Sequence, residues 1–62
     1  MHVILTSNKY RIEYKGTDTR FERTHYYPNG KAACTYIFYN CSMEKSIEQL
    51  IKETNYKIVY KK

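Results

Sequence analysis

An unbroken run of twelve residues, 32–43, carries no charge in a chain of which 27% is Asp, Glu, Lys or Arg. Its first nine residues, Ala32-Ala33-Cys34-Thr35-Tyr36-Ile37-Phe38-Tyr39-Asn40, are β-branched and aromatic enough to form a strand. The large side chains fall at odd and even positions alike, so both faces of that strand are apolar. A strand of this kind needs cover on each side, from a helix, a second subunit or a ligand. The run therefore directs function toward binding rather than chemistry.

With 62 residues, the chain is expected to make one small domain, 1–62, near the lower limit of stability. Such domains depend on disulfides, a metal, oligomerisation or an aromatic-rich core. Eight Tyr and two Phe supply the last of these. The two cysteines, Cys34 and Cys41, stand roughly 20 Å or more apart if the intervening chain is extended. That distance is too great for a disulfide. They are expected to be free thiols, read as two small buried hydrophobes, as suits a reducing cytoplasm. The start, Met1-His2-Val3-Ile4-Leu5 followed at once by polar residues, does not read as a signal peptide. No run reaches the length of a membrane span. A cytoplasmic location is the expectation.

The net charge is +5. The first 31 residues hold six Lys/Arg against three Asp/Glu, and the last 31 hold five against three. Such a balance favours anionic partners.

Five strands and one helix are predicted. Residues 2–6 form a first strand ending at a Ser7-Asn8 turn. Lys9 to Lys15 alternates strictly, with Tyr10, Ile12 and Tyr14 on one face and charges on the other. Gly16-Thr17-Asp18-Thr19 is a turn, 20–27 a third strand, and Pro28-Asn29-Gly30 a hairpin signal. Ser42 is an N-cap. Met43, Ile47, Leu50 and Ile51 form the apolar stripe of a helix that Asn55 should stop in a left-handed conformation. Residues 56–60 alternate again. The fold class is α+β, an antiparallel meander of four to five strands with one α-helix on one face. The last strand either crosses under the helix to pair beside the first or lies parallel to the fourth.

The turn positions assign faces. Val3, Leu5, Tyr10, Ile12, Tyr14 and Phe21 should lie beneath the helix. Lys9, Arg11, Glu13, Lys15, Arg20 and Glu22 should lie on the opposite face, with Glu13 opposite Glu22. For the fourth strand, a type I turn led by Pro28 with Gly30 in a bulge is slightly preferred on turn chemistry. It places Ile37 and Tyr39 under the helix. A two-residue Asn29-Gly30 turn places Cys34, Tyr36 and Phe38 there instead.

Catalysis has little support. His2 and His25 are isolated from each other, and a Cys34–His25 pair has nothing to orient the imidazole and no oxyanion site. Two His and two Cys without short spacing are no metal signature. No enzyme activity, metal, cofactor or small-molecule substrate is expected. A nucleic-acid (DNA or RNA) binding role has a better physical case. Lys9, Arg11, Lys15 and Arg20 would meet phosphates, while Tyr26 stacks on bases together with Tyr36 and Phe38 or, in the other register of the fourth strand, with Tyr39. A three-stranded sheet with one helix also presents a sheet face to a DNA groove in arm-binding domains of phage-type integrases, a likeness of architecture only. The alternative is a small inhibitor or adaptor of the phage or mobile-element type. It would dock on a larger protein, or homodimerise, through the uncharged aromatic strand 32–41, using Thr35, Tyr36, Ile37, Phe38 and Tyr39.

Overall fold

In a computed structural model, which describes all 62 residues, the chain forms β1 (His2–Ser7), β2 (Tyr10–Gly16), β3 (Arg20–Tyr26), β4 (Ala32–Tyr39), α1 (Met43–Glu53) and β5 (Lys57–Lys61). The sheet order is β4-β3-β2-β1-β5, and every pairing is antiparallel. The expected α+β meander is the fold. Of the two arrangements considered for the last strand, β5 takes the place beside β1, and α1 makes the crossover.

The core follows the predicted faces. Val3, Leu5, Ile12, Tyr14 and Phe21 meet Met43 and Ile47 of the helix, and these seven are the buried residues of the chain. Tyr10 shares their face but is 46% exposed, because it opposes Ser7 at the end of the hairpin. The Tyr14 hydroxyl is satisfied by Ser46 Oγ at 3.0 Å, which ties the sheet centre to the helix.

Two turns lie elsewhere than expected. The β1–β2 turn is Asn8-Lys9, not Ser7-Asn8, with positive φ at both positions (48° and 71°). A two-residue hairpin of this twist requires that conformation at both central residues, and Asn tolerates it where Ser does not. At the next connection Thr17 N–H donates to Arg20 O (2.8 Å), so the two central residues are Asp18 and Thr19. Each register moves by two residues, which preserves the faces. The second shift sets Glu22 opposite Lys15 and Glu13 opposite Thr24, so the expected Glu13–Glu22 apposition does not occur.

The third hairpin departs further. Its turn is the preferred one: Gly30 N–H donates to Tyr27 O, Tyr27 N–H donates to Lys31 O, and Gly30 has φ +88°. Continued regularly, that turn would set Ile37 opposite Phe21. Instead the ladder shifts between His25 and Tyr26, so that Tyr26 opposes Ala32 while His25 opposes Cys34. Ala33 is the extra residue, a β-bulge on an edge strand. The bulge reverses every side chain beyond it. Phe38 turns inward and stacks on Phe21 at 4.9 Å between centroids. Ile37 and Tyr39, expected beneath the helix, lie on the other face.

Helix α1 starts as predicted, with Ser42 Oγ accepting from Lys45 N–H. A second cap comes from the β2–β3 turn. Asp18 Oδ1 accepts from Glu44 N–H (3.1 Å) and from Ser42 Oγ (3.3 Å), and Asp18 O accepts from Met43 N–H. Three of the donors that a helix start leaves unpaired are thus satisfied. The C-terminus is not a left-handed Asn55. Thr54 ends the helix in extended conformation, and its hydroxyl donates to Leu50 O at 2.6 Å.

Because α1 lies over β1, β2 and the near end of β3, strand β4 stays largely uncovered. Only Phe38 among its eight residues is half-buried. Tyr36, Ile37 and Tyr39 are 47%, 59% and 57% exposed. Cys34 and Cys41 are free thiols, as expected, but both are exposed rather than buried, since the helix does not reach them. No helix is long and apolar enough to cross a membrane.

Candidate functional site

The face of the sheet opposite α1 has no second layer. Alternation along the five strands, with the registers above, places His2 and Ile4 of β1 there, with Arg11, Glu13 and Lys15 of β2. They are joined by Arg20, Glu22, Thr24 and Tyr26 of β3, Thr35, Ile37 and Tyr39 of β4, and Lys57 and Tyr60 of β5. Tyr60 reaches this face because a register shift between Ile4 and Leu5 sets Tyr60 opposite Ile4 while Ile58 stays opposite Leu5.

A chain of contacts crosses the face. The Arg11 guanidinium lies 4.2 Å from the centroid of the Tyr26 ring. The Tyr26 hydroxyl donates to Glu13 Oε1 at 3.0 Å. Glu13 Oε2 is bonded to His2 Nε2, with Lys15 Nζ 4.0 Å away. The His2 ring meets the edge of Tyr60 at 5.2 Å. Burial raises the Glu13 pKa, but the hydrogen bonds from His2 and Tyr26 and the nearby Lys15 and His2 charges outweigh it, so the carboxyl stays below its ordinary value. Glu13 is thereby held as the carboxylate and hydrogen-bonded within the face, while Arg11, Lys15 and Arg20 are exposed. At the other margin Arg20 lies over Tyr39 at 5.2 Å, and the Thr24 and Thr35 hydroxyls meet at 3.1 Å.

Charge is segregated between the layers. Asp18, Glu44, Glu48 and Glu53 belong to the helix or to the turn that caps it. Only Glu13 and Glu22 of the six acidic residues lie on the strands. Nine of the eleven basic residues lie in strands, hairpin turns or the C-terminal residue; the helix holds only Lys45 and Lys52.

The structure brings together Arg11, Lys15, Arg20 and Tyr26 of the predicted nucleic-acid set. Lys9 sits in the Asn8-Lys9 turn at the end of the face rather than on it. Tyr36 lies on the helix side, opposite Arg23, so it cannot share a surface with Tyr26. The bulge at Ala33 moves Tyr36 away and brings Tyr39 into its place. From sequence, Tyr39 falls on this face only in the less favoured of the two hairpin registers, and Tyr60, His2 and Lys57 were not assigned to it. Both bulged strands break the alternation that would have placed the two tyrosines.

On the helix side, half-buried Arg23 and His25 of β3 lie beside exposed Cys34 and Tyr36 of β4. Arg23 lies 5.1 Å from the Tyr36 ring and 5.0 Å from the Phe38 ring. His25 is directly opposite Cys34, but its Nε2 has no hydrogen-bond partner. Burial and the Arg23 charge hold its pKa below the ordinary value. The neighbouring Cys34 thiol pushes the Tyr36 hydroxyl above its ordinary pKa. No hydrogen bond to a carboxylate orients the imidazole. No group of three His, Cys, Asp or Glu converges as a metal site.

Compared with known protein families, curated proteins and solved structures, the chain matches none.

Proposed function

We propose that the protein is a small, non-enzymatic nucleic-acid-binding module whose contact surface is the open face of the sheet. The observation that carries this reading is the convergence of Arg11, Lys15 and Arg20 with exposed Tyr39 and Tyr60 on a face with no second layer. The basic side chains meet phosphates, and the tyrosines offer rings to bases, the pairing of charge and stacking that single strands require. Tyr26 acts indirectly. Its ring is covered by Arg11, so it holds the guanidinium plane outward instead of receiving a base.

Fluorescence anisotropy with a labelled single-stranded oligonucleotide tests this. Three phosphate contacts give a slope near 2 in log affinity against log salt, a loss of roughly twentyfold between about 50 and 200 mM. Alanine at Arg11, Lys15 and Arg20 together should remove binding without unfolding the chain, because all three are exposed. Absence of binding to any DNA or RNA at low salt eliminates the proposal. A second reading, docking on a larger protein as an inhibitor or adaptor through Thr35, Tyr36, Ile37, Phe38 and Tyr39, is supported by the exposure of Tyr36, Ile37 and Tyr39, while Phe38 is turned against Phe21. Its binding would barely respond to salt.

A further inference from the structure

The two edges of the sheet differ in a way that identifies what pairs with one of them. Edge strand β5 carries Lys57 and Lys61 and contains a bulge, both devices that discourage further strand addition. Edge strand β4 carries no charge over eight residues, and its bulge lies at the hairpin end, leaving the stretch from Cys34 to Tyr39 regular. Asn40 N–H donates to Thr19 O. By antiparallel alternation, Phe38, Tyr36 and Cys34 also bond inward to β3, while the amides and carbonyls of Thr35, Ile37 and Tyr39 point outward.

We infer that this edge pairs with a second copy of itself, β4 against β4 across a two-fold axis through Ile37, to give a continuous ten-stranded antiparallel sheet. In that register Ile37 faces Ile37 of the partner copy, and Thr35 faces Tyr39. The outward groups of three residues on each strand then form about six hydrogen bonds. On the helix side Tyr36 of each copy lies across from Phe38 of the other, an aromatic pairing that occurs twice. No charged residue is opposed by a like charge, and no polar backbone group in the register lacks a partner. The fit is self-complementary, as a two-fold interface must be. It also meets a need of this chain. The core has seven buried residues, and β4 contributes one half-buried ring to it, so association supplies burial that a domain of this size lacks.

The dimer is tested by sedimentation velocity across a concentration series up to about 1 mM, on the wild-type chain and on Ile37→Lys. The variant places two ammonium groups against each other at the axis, while in the isolated subunit the side chain at 37 is 59% exposed and the fold tolerates the change. The wild type should dimerise, and more strongly as salt screens the +5 charge of each copy, the opposite of nucleic-acid binding. Ile37→Lys should weaken association about tenfold or more. In a background with Cys34 and Cys41 replaced by Ser, Ile37→Cys should cross-link to itself under mild oxidation. Thr35→Cys should cross-link only when mixed with Tyr39→Cys. A wild-type monomer throughout the range overturns the proposal, as does an unaffected dimer in Ile37→Lys or cross-linking that ignores the register. None of these outcomes depends on whether nucleic acid binds.

Discussion

Replacing Glu13 by Gln should weaken the fold and strengthen nucleic-acid binding at the same time. The carboxylate accepts from the Tyr26 hydroxyl at 3.0 Å and is bonded to His2, and its side chain is only 14% exposed. A hydrogen bond to a charged group contributes about 1.5–3 kcal/mol, against about 0.5–1.5 for a neutral one. Glutamine therefore gives up roughly 1 kcal/mol in each bond and also loses one acceptor. With the half-open His2 side of the site discounted, the net cost is about 1–2 kcal/mol. In a domain of this size that lowers the melting temperature by roughly 5–15 °C. The effect has a defined pH window. Because the folded carboxyl titrates below its ordinary value of 4.5, its contribution is fully present above that pH and is lost as pH falls through the folded value. The two proteins should thus converge in acid. For binding, the substitution removes a negative charge beneath Arg11 and Lys15. At about 7 Å in water one phosphate gains about 0.6 kcal/mol, a two- to threefold rise in affinity. Urea titrations at pH 7 and at a series of pH values descending from 4.5 read the first effect, and anisotropy with the oligonucleotide reads the second. A folded Glu13→Gln protein with unchanged or weaker binding would falsify the assignment of the open face.

Gly16→Ala should destabilise by about 2 kcal/mol or more in urea, because Gly16 has φ +137° and a Cβ there would lie 2.5 Å from Arg20 O; a loss under 0.5 kcal/mol would contradict the packing of that turn. Tyr14→Phe should cost about 1 kcal/mol through Ser46, and a double-mutant cycle with Ser46→Ala should show coupling of similar size; additive losses would exclude the bond. His25, with its folded pKa lowered, stabilises fully above the ordinary 6.5 and loses that contribution as pH falls through its folded value. Stability should therefore decline below about pH 6.5 in the wild type and stay flat there in His25→Gln. The same decline in both proteins would exclude His25 as its source.

The number and order of the strands, the helix with its Ser42 cap and the core face from Val3 to Phe21 were all legible in the sequence, with strand ends displaced by about one residue. In each, periodicity and local chemistry agree, and a turn displaced by two residues leaves the faces intact. β4 was harder to read for a definite reason. Turn chemistry at Pro28-Asn29-Gly30 was correctly read, yet register also depends on whether every later residue pairs. Ala32 and Ala33 are two small side chains that either face accepts, so nothing local marks the bulge. Only the tertiary fit of Phe38 on Phe21 decides it, and that contact spans a separation in sequence that no local pattern reports. The positions of Tyr36 and Tyr39 depended on the same residue, and with them part of the candidate site.

The Asp18 cap has a kinetic consequence. The helix begins 25 residues beyond the aspartate whose carboxylate and carbonyl satisfy its first amides, so its best-anchored end exists only once the β2–β3 corner has closed. The expected order is hairpin formation first and helix docking second. In stopped-flow measurements Asp18→Ala should accelerate unfolding and leave the refolding rate nearly unchanged; slowed refolding would instead place that knot at the start of the folding route.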